Sequence, residues 1–371
     1  MVSMLSKLSL RSSRKWAACL LAAFSLAAQS AVMAQDSVQN VVYQEDGTLS
    51  QKLGLPTYEW YSQEQAPRGV VLAVHGVTMH GRSYDYLGKS LAQQGYHVVS
   101  LDLRGYGRSF YDAEGLKKHE PQTKDCDNRT KVNYEKSAED VARVARALKS
   151  RFPGQPVFAL GESMGTNMVI RLAADHPELC DGLILSAPAV RRHQMLDPYV
   201  LVNAGLFCAN PRAQLDLMPF VRRYASDDPR VVAEKETDPL LRRKMSAGEL
   251  LKASSAIKKT ISFVTRISPD TPVLVIQGGN DRVLHADAVG TLLTNLHAKD
   301  QTVKWFASRG HILLETEFIR DDTMDAVVGW LNTHVESAEM QSRISPTPNY
   351  VAANPDDGEF QHASFALKLE E

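Results

Sequence analysis

Short apolar runs recur along this chain between stretches of helical spacing, and few architectures accommodate that rhythm. Residues 70–74, 97–101, 157–160, 183–185 and 273–276 are apolar almost throughout, with no polar–apolar alternation. A strand with one wet face alternates, whereas a strand apolar on both sides belongs to a parallel sheet covered on both faces. Between these runs, residues 84–94, 134–151, 164–176, 286–296 and 321–334 read as helices. Ala138, Val141, Ala145 and Leu148 mark one buried helical face. Strands alternating with helices predict an α/β fold with a mostly parallel central sheet and helices on both faces. The turn-rich residues 35–67 are expected to supply opening antiparallel strands.

The rhythm breaks between residues 190 and 268, where Met, Leu, Arg, Lys and Pro accumulate without a strand-like run. An insertion between two parallel strands lies above their carboxyl ends, where ligands bind in such sheets. The expected layout is therefore a core of residues 35–189 and 269–336 and a mostly helical lid of residues 190–268. Residues 337–371, with Pro346, Pro348 and Pro355, are expected to form a loosely attached extension.

Lys7, Arg11, Arg14 and Lys15 precede an apolar stretch from Trp16 to about Ala28, and Val32, Met33 and Ala34 close the segment. That is the tripartite pattern of a secretory signal, with cleavage expected after Ala34 and an exported, periplasmic or secreted product. The stretch is shorter than the about 20 residues of a spanning helix, so no stable membrane anchor is expected after cleavage. Loss of residues 1–34 moves the formal charge from −1 to −5, which gives nucleic acid no electrostatic footing. Cys126, Cys180 and Cys208 would remain, an odd number that permits at most one intramolecular bridge. No paired C-x-x-C, H-E-x-x-H or P-loop is present, so neither a metal nor a nucleotide cofactor is expected.

Gly161, Glu162, Ser163, Met164 and Gly165 form G-x-S-x-G between a predicted strand and a predicted helix. A nucleophile elbow needs that context: a sharp turn lifts the Ser163 hydroxyl, and Gly161 and Gly165 are small enough to pass their neighbours. The helix starting at Met164 would aim its N–H groups at developing negative charge. The Met164 N–H is one expected oxyanion donor, and the Val77 N–H, in the loop after residues 70–74, is the second. A serine hydroxyl needs a base, and the base needs a carboxylate. In the order nucleophile, acid, base, Asp281 follows the strand 273–276 and His311 follows a short strand 302–306. Asp270 and Asp287 are rival acids, and His285, His297 and His334 rival bases. His75, and Asp102 in the turn-rich stretch 102–109, precede Ser163 and are read as structural.

With His75-Gly76, the 102–109 stretch, the elbow, Asp238-Pro239-Leu240, Asp281-Arg282 and Gly310-His311 all in order, residues 70–334 resemble the monoacylglycerol lipase and lysophospholipase branch of the α/β hydrolases, which includes serine aminopeptidase S33-type members. The resemblance implies a lid over an acyl-binding tunnel, hydrolysis of single-chain esters through an acyl-enzyme, no cofactor, and the triad Ser163, Asp281 and His311. Two positions depart from the pattern: Glu162 stands where many relatives have His, and Thr166 where Gly is usual. The same machinery would serve an aminopeptidase, with Glu234, Glu236 or Glu249 holding a substrate amine, or a lactonase or acyltransferase; a non-catalytic binding module is the remaining reading. The sequence leaves the oligomeric state open.

Overall fold

The computed structural model describes residues 41–112, 128–191, 210 and 213–344. Its centre is an eight-stranded sheet of β1 (Val41–Glu45), β2 (Thr57–Ser62), β3 (Gly69–Val74), β4 (Tyr96–Leu101), β5 (Val157–Glu162), β6 (Gly182–Ser186), β9 (Val273–Gly278) and β10 (Gln301–Phe306). The spatial order is β1-β2-β4-β3-β5-β6-β9-β10. β2 runs antiparallel to β1 and β4, and the other pairs are parallel. The segment 35–67 thus supplies antiparallel opening strands within its described part.

Alternate residues of one strand feed two separate cores, which is why the central runs show no alternation. Val70, Leu72 and Val74 pack on one face with the helices Tyr134–Arg151 and Met164–Asp175. Val71 and Ala73 pack on the other with Leu87 and Leu91 of the helix Asp85–Gln93 and Leu331 of the helix Asp321–Ile344. From β3 the chain goes to β4 on one side, and β5 then returns to the other side of β3. That reversal is a topological switch point, and a crevice opens outside the carboxyl ends of β3 and β5.

Over that crevice lies the insertion. Its described part holds the helices Met218–Tyr224, Pro229–Thr237 and Ala247–Val264. It also holds a small antiparallel ribbon of β7 (Gln214–Asp216) and β8 (Lys244–Ser246), where no strand was expected. Strands of three residues are too short to leave a period in the sequence. The insertion is fastened to the body at Arg242, whose backbone N–H donates to Thr78 O at 2.8 Å. Its buried guanidinium donates to Gly105 O and to Glu249, and lies 3.6 Å from the Phe110 ring centre. Asn167, from the helix after β5, donates to Ala256 O and Thr260 Oγ1 of the helix Ala247–Val264 at 3.0 and 2.9 Å.

Three other boundaries differ from expectation. The helix expected from residue 84 starts at Asp85 after a 3-10 turn, Gly81–Tyr84, and the one expected over 286–296 spans Ala288–Asn295. The last helix, expected over 321–334, continues to Ile344, past the expected core boundary at 336. The signal segment, Cys126 and Cys208 lie outside the described residues, whereas Cys180 is buried and unpaired with its thiol pushed up to about 12 by burial. No helix among the described residues is long and apolar enough to cross a membrane.

Candidate active site

β5 ends at Glu162, the next helix begins at Met164, and Ser163 alone makes the turn with φ 54° and ψ −120°. A non-glycine residue at positive φ is strained and persists only where its surroundings impose it. Here they do. A Cβ on Gly165 would come within 1.8 Å of Val74 O, and one on Gly161 within 2.4 Å of the Gly165 carbonyl carbon. β3, β5 and the helix can approach this closely only without side chains at those two positions.

Thr166, where the motif usually has glycine, is fully buried. Its Oγ1 donates to Ser163 O at 2.6 Å and accepts from Ala189 N at 2.9 Å. The hydroxyl therefore ties the elbow to the loop after β6. Glu162, the other departure, carries five bonds: Ser186 Oγ and the N–H groups of Leu313, Leu314 and Glu315 all donate to its two carboxylate oxygens, Leu314 to both, at 2.7 to 3.2 Å. It fixes the segment after His311 against the elbow.

The structure brings Ser163, Asp281 and His311 together. His311 Nε2 lies 2.9 Å from Ser163 Oγ, and His311 Nδ1 lies 2.8 Å from Asp281 Oδ2. Asp281 Oδ1 accepts from the N–H groups of Val283 and Leu284 at 2.8 and 2.9 Å. Burial opposes charge on Asp281, but His311 and these two amides outweigh it and hold its carboxyl below the usual range. Burial likewise pulls His311 down, and the Asp281 carboxylate more than reverses this, leaving the imidazole above its ordinary value. With Asp281 ionised, the ring proton sits on Nδ1 and Nε2 can accept from Ser163.

The rivals lie elsewhere. Asp287 pairs with Arg191 and Asp270 with Lys299, both near the surface. His334, on the last helix, bonds Trp330 O of that helix and Asp300 just before β10, and neither His285 nor His297 lines the cavity at Ser163. His75 is fully buried; its Nδ1 lies 2.8 Å from Gly76 O and its Nε2 accepts from Leu103 N. Burial pushes it down to about 3, so it is a neutral strut under the loop that carries Val77. Asp102 accepts from Tyr58 Oη, Gly81 N and Arg108 N, binding two loops to the end of β4.

Val77 and Met164 both line the cavity that contains Ser163 and His311. Met164 opens its helix, where N–H groups have no intrahelical acceptor. Two positions on peptide N–H groups beside the nucleophile can stabilise an oxyanion. The cavity measures about 240 Å³, and Leu215, Leu217, Phe220, Val221, Leu250 and Ile257 wall it. Two larger clefts, of about 780 and 800 Å³, have charged walls and contain neither Ser163 nor His311. Among the described residues no cluster of His, Cys, Asp and Glu is arranged to hold a metal ion.

Sequence reasoning missed the supports of His311. The lid holds this loop from above, with Gly310 N donating to Asp227 Oδ1 at 2.7 Å and Ile312 N to Ala225 O at 2.9 Å. Glu315 holds Gly76 from below. An acid four residues after His311, directly following the run Ile312, Leu313, Leu314, was the one signal available.

Comparison with known proteins agrees with this architecture. Over 277 residues the chain is 28% identical to a monoglyceride lipase homolog of Monkeypox virus, covering 73% of this chain and 91% of that protein. It is 25% identical over 285 residues to a monoacylglycerol lipase of Mycolicibacterium smegmatis, covering 75% and 93%. The crystal structure of the Paleococcus ferrophilus monoacylglycerol lipase superposes with a TM-score of 0.58 at 23% identity, covering 76% of this chain and 99% of that one. The family model described as serine aminopeptidase, S33, matches residues 65–317, and with the elbow and sheet order above it places the chain among the α/β-fold serine hydrolases of that family.

Proposed function

We propose that this protein is an exported serine hydrolase that cleaves single-chain carboxylic esters, of the monoacylglycerol or lysophospholipid type, through an acyl-enzyme. The observation that carries the reading is the cavity: a small, apolar space that ends on Ser163. Ligand pockets commonly run to ~300–1,000 Å³, so about 240 Å³ suits one acyl chain better than two or three. The names of the relatives above point to the same substrate class.

In this reading Ser163 Oγ gives its proton to His311 Nε2 and attacks the ester carbonyl. The oxyanion settles on the N–H groups of Val77 and Met164, and Asp281 steadies the imidazolium. Collapse of the intermediate expels the alcohol, which takes the proton from His311, and water repeats the cycle on the acyl-enzyme. None of these steps calls for a cofactor.

The aminopeptidase alternative needs a free carboxylate beside Ser163. Glu234 is bonded to Lys235 and Thr316, Glu236 to Arg222, and Glu249 to Arg242 and Ser246, and none of the three lines the cavity. That favours the ester over the peptide.

Wild-type protein and Ser163→Ala, incubated with monoacylglycerols, lysophospholipids and aminoacyl dyes, test the proposal. Free fatty acid from the wild type and a loss of at least about 10⁴-fold in the variant are expected; release of dye without fatty acid would sink it. Export has its own test: the exported protein should begin at Gln35, and an intact Met1 would rule out cleavage.

A further inference from the structure

Glu315 is the buried acid that the mechanism above leaves without a task. It is 1% exposed, sits four residues past His311 and borders the cavity at Ser163. Its Oε1 accepts from Gly76 N at 2.6 Å. Gly76 is wedged between the two groups: a Cβ there would lie 3.1 Å from Ser163 Cβ and 3.2 Å from Glu315 Oε2. Glu315 is itself fixed from behind, since its backbone N–H donates to Glu162 at 2.8 Å.

We infer that Glu315 is a positioning residue for the oxyanion loop: through the Gly76 N–H it sets where the Val77 N–H stands over Ser163. The inference rests on the oxyanion role proposed for Val77. Gly76 is then held on both sides, by His75 at its carbonyl and by Glu315 at its N–H. With both anchors in place, the planar peptide that joins Gly76 to Val77 has little freedom to rotate.

Burial, reinforced by the neighbouring Glu162, pushes the Glu315 carboxyl well above the usual carboxylate range. Glu162, saturated with N–H and O–H donors, is the member of the pair suited to carry the charge. A neutral acid beside the reaction site does not repel the oxyanion, as a carboxylate would.

Glutamine keeps an oxygen for the Gly76 N–H, whereas leucine offers none. Glu315→Gln is therefore expected to keep kcat within about threefold of the wild type. Glu315→Leu should lose about 10–100-fold in kcat at a nearly unchanged KM. Binding of phenylboronic acid, which forms a tetrahedral adduct on Ser163 and uses the oxyanion donors, should weaken in parallel. This readout needs no ester turnover, so it separates failure of the inference from failure of the ester reading. Should Glu315→Leu not fold, Glu315→Met takes its place, with the same losses expected in kcat and in boronate affinity. The inference is overturned if Glu315→Gln is as impaired as Glu315→Leu, or if the apolar variant keeps both its kcat and its boronate affinity.

Discussion

In the proposed mechanism His311 must be uncharged to take the Ser163 proton, and its neighbours set the pH at which that condition fails. Burial alone would lower its pKa, but Asp281 at 2.8 Å raises it above the ordinary value. Activity should therefore fall, as pH drops, with a midpoint above the about 6.5 of free imidazole. For stability the sign is reversed, because a raised folded-state pKa stabilises below the unfolded value and the benefit is lost as pH rises through the folded one. Asp281→Asn removes the opposing carboxylate, so the acid midpoint of kcat/KM should move down while the rate drops by about 10⁴-fold. A pH–rate profile on a soluble ester measures both, and an unmoved midpoint in the variant would contradict this account of the pair.

At the scale of elements, the strained turn between β5 and the helix Met164–Asp175 depends on its attachment to the loop after β6. Thr166 makes that attachment with two hydrogen bonds. Thr166→Val keeps the shape but leaves Ala189 N without its buried acceptor, at a cost of about 1–3 kcal/mol. For a domain of this size each kcal/mol corresponds to ~2–4 °C in Tm, so thermal unfolding of the variant should shift down by several degrees. An unchanged Tm would mean that glycine packing alone holds the elbow.

At the scale of the whole molecule, the insertion supplies one apolar side of the cavity wall and also anchors the His311 loop through Ala225 and Asp227. In the proposed reading the same segment bounds the acyl chain and supports the base. Ile257→Trp, on the lid helix Ala247–Val264, should shift the acyl-length optimum toward short chains in a p-nitrophenyl ester series and leave acetate ester turnover within a few-fold; equal losses at every length would point to a distorted triad instead. The central strands were legible in the sequence because both their faces are buried, and the turn at Ser163 was legible because five consecutive residues make it. β7 and β8 were not, at three residues each. The supports of the site escaped for a different reason. Glu162 meets Leu313, Arg242 meets Gly105, Asp227 meets Gly310 and Glu315 meets Gly76 across 83 to 239 residues of chain. Sequence by itself determined the central strands and helices and the candidate residues Ser163, Asp281 and His311, since period, turn chemistry and strand-end position are local properties. Which buried polar groups meet, and so where the Val77 loop and His311 are held, was decided by tertiary packing, because a buried hydrogen bond is specified by partners that only the fold brings together.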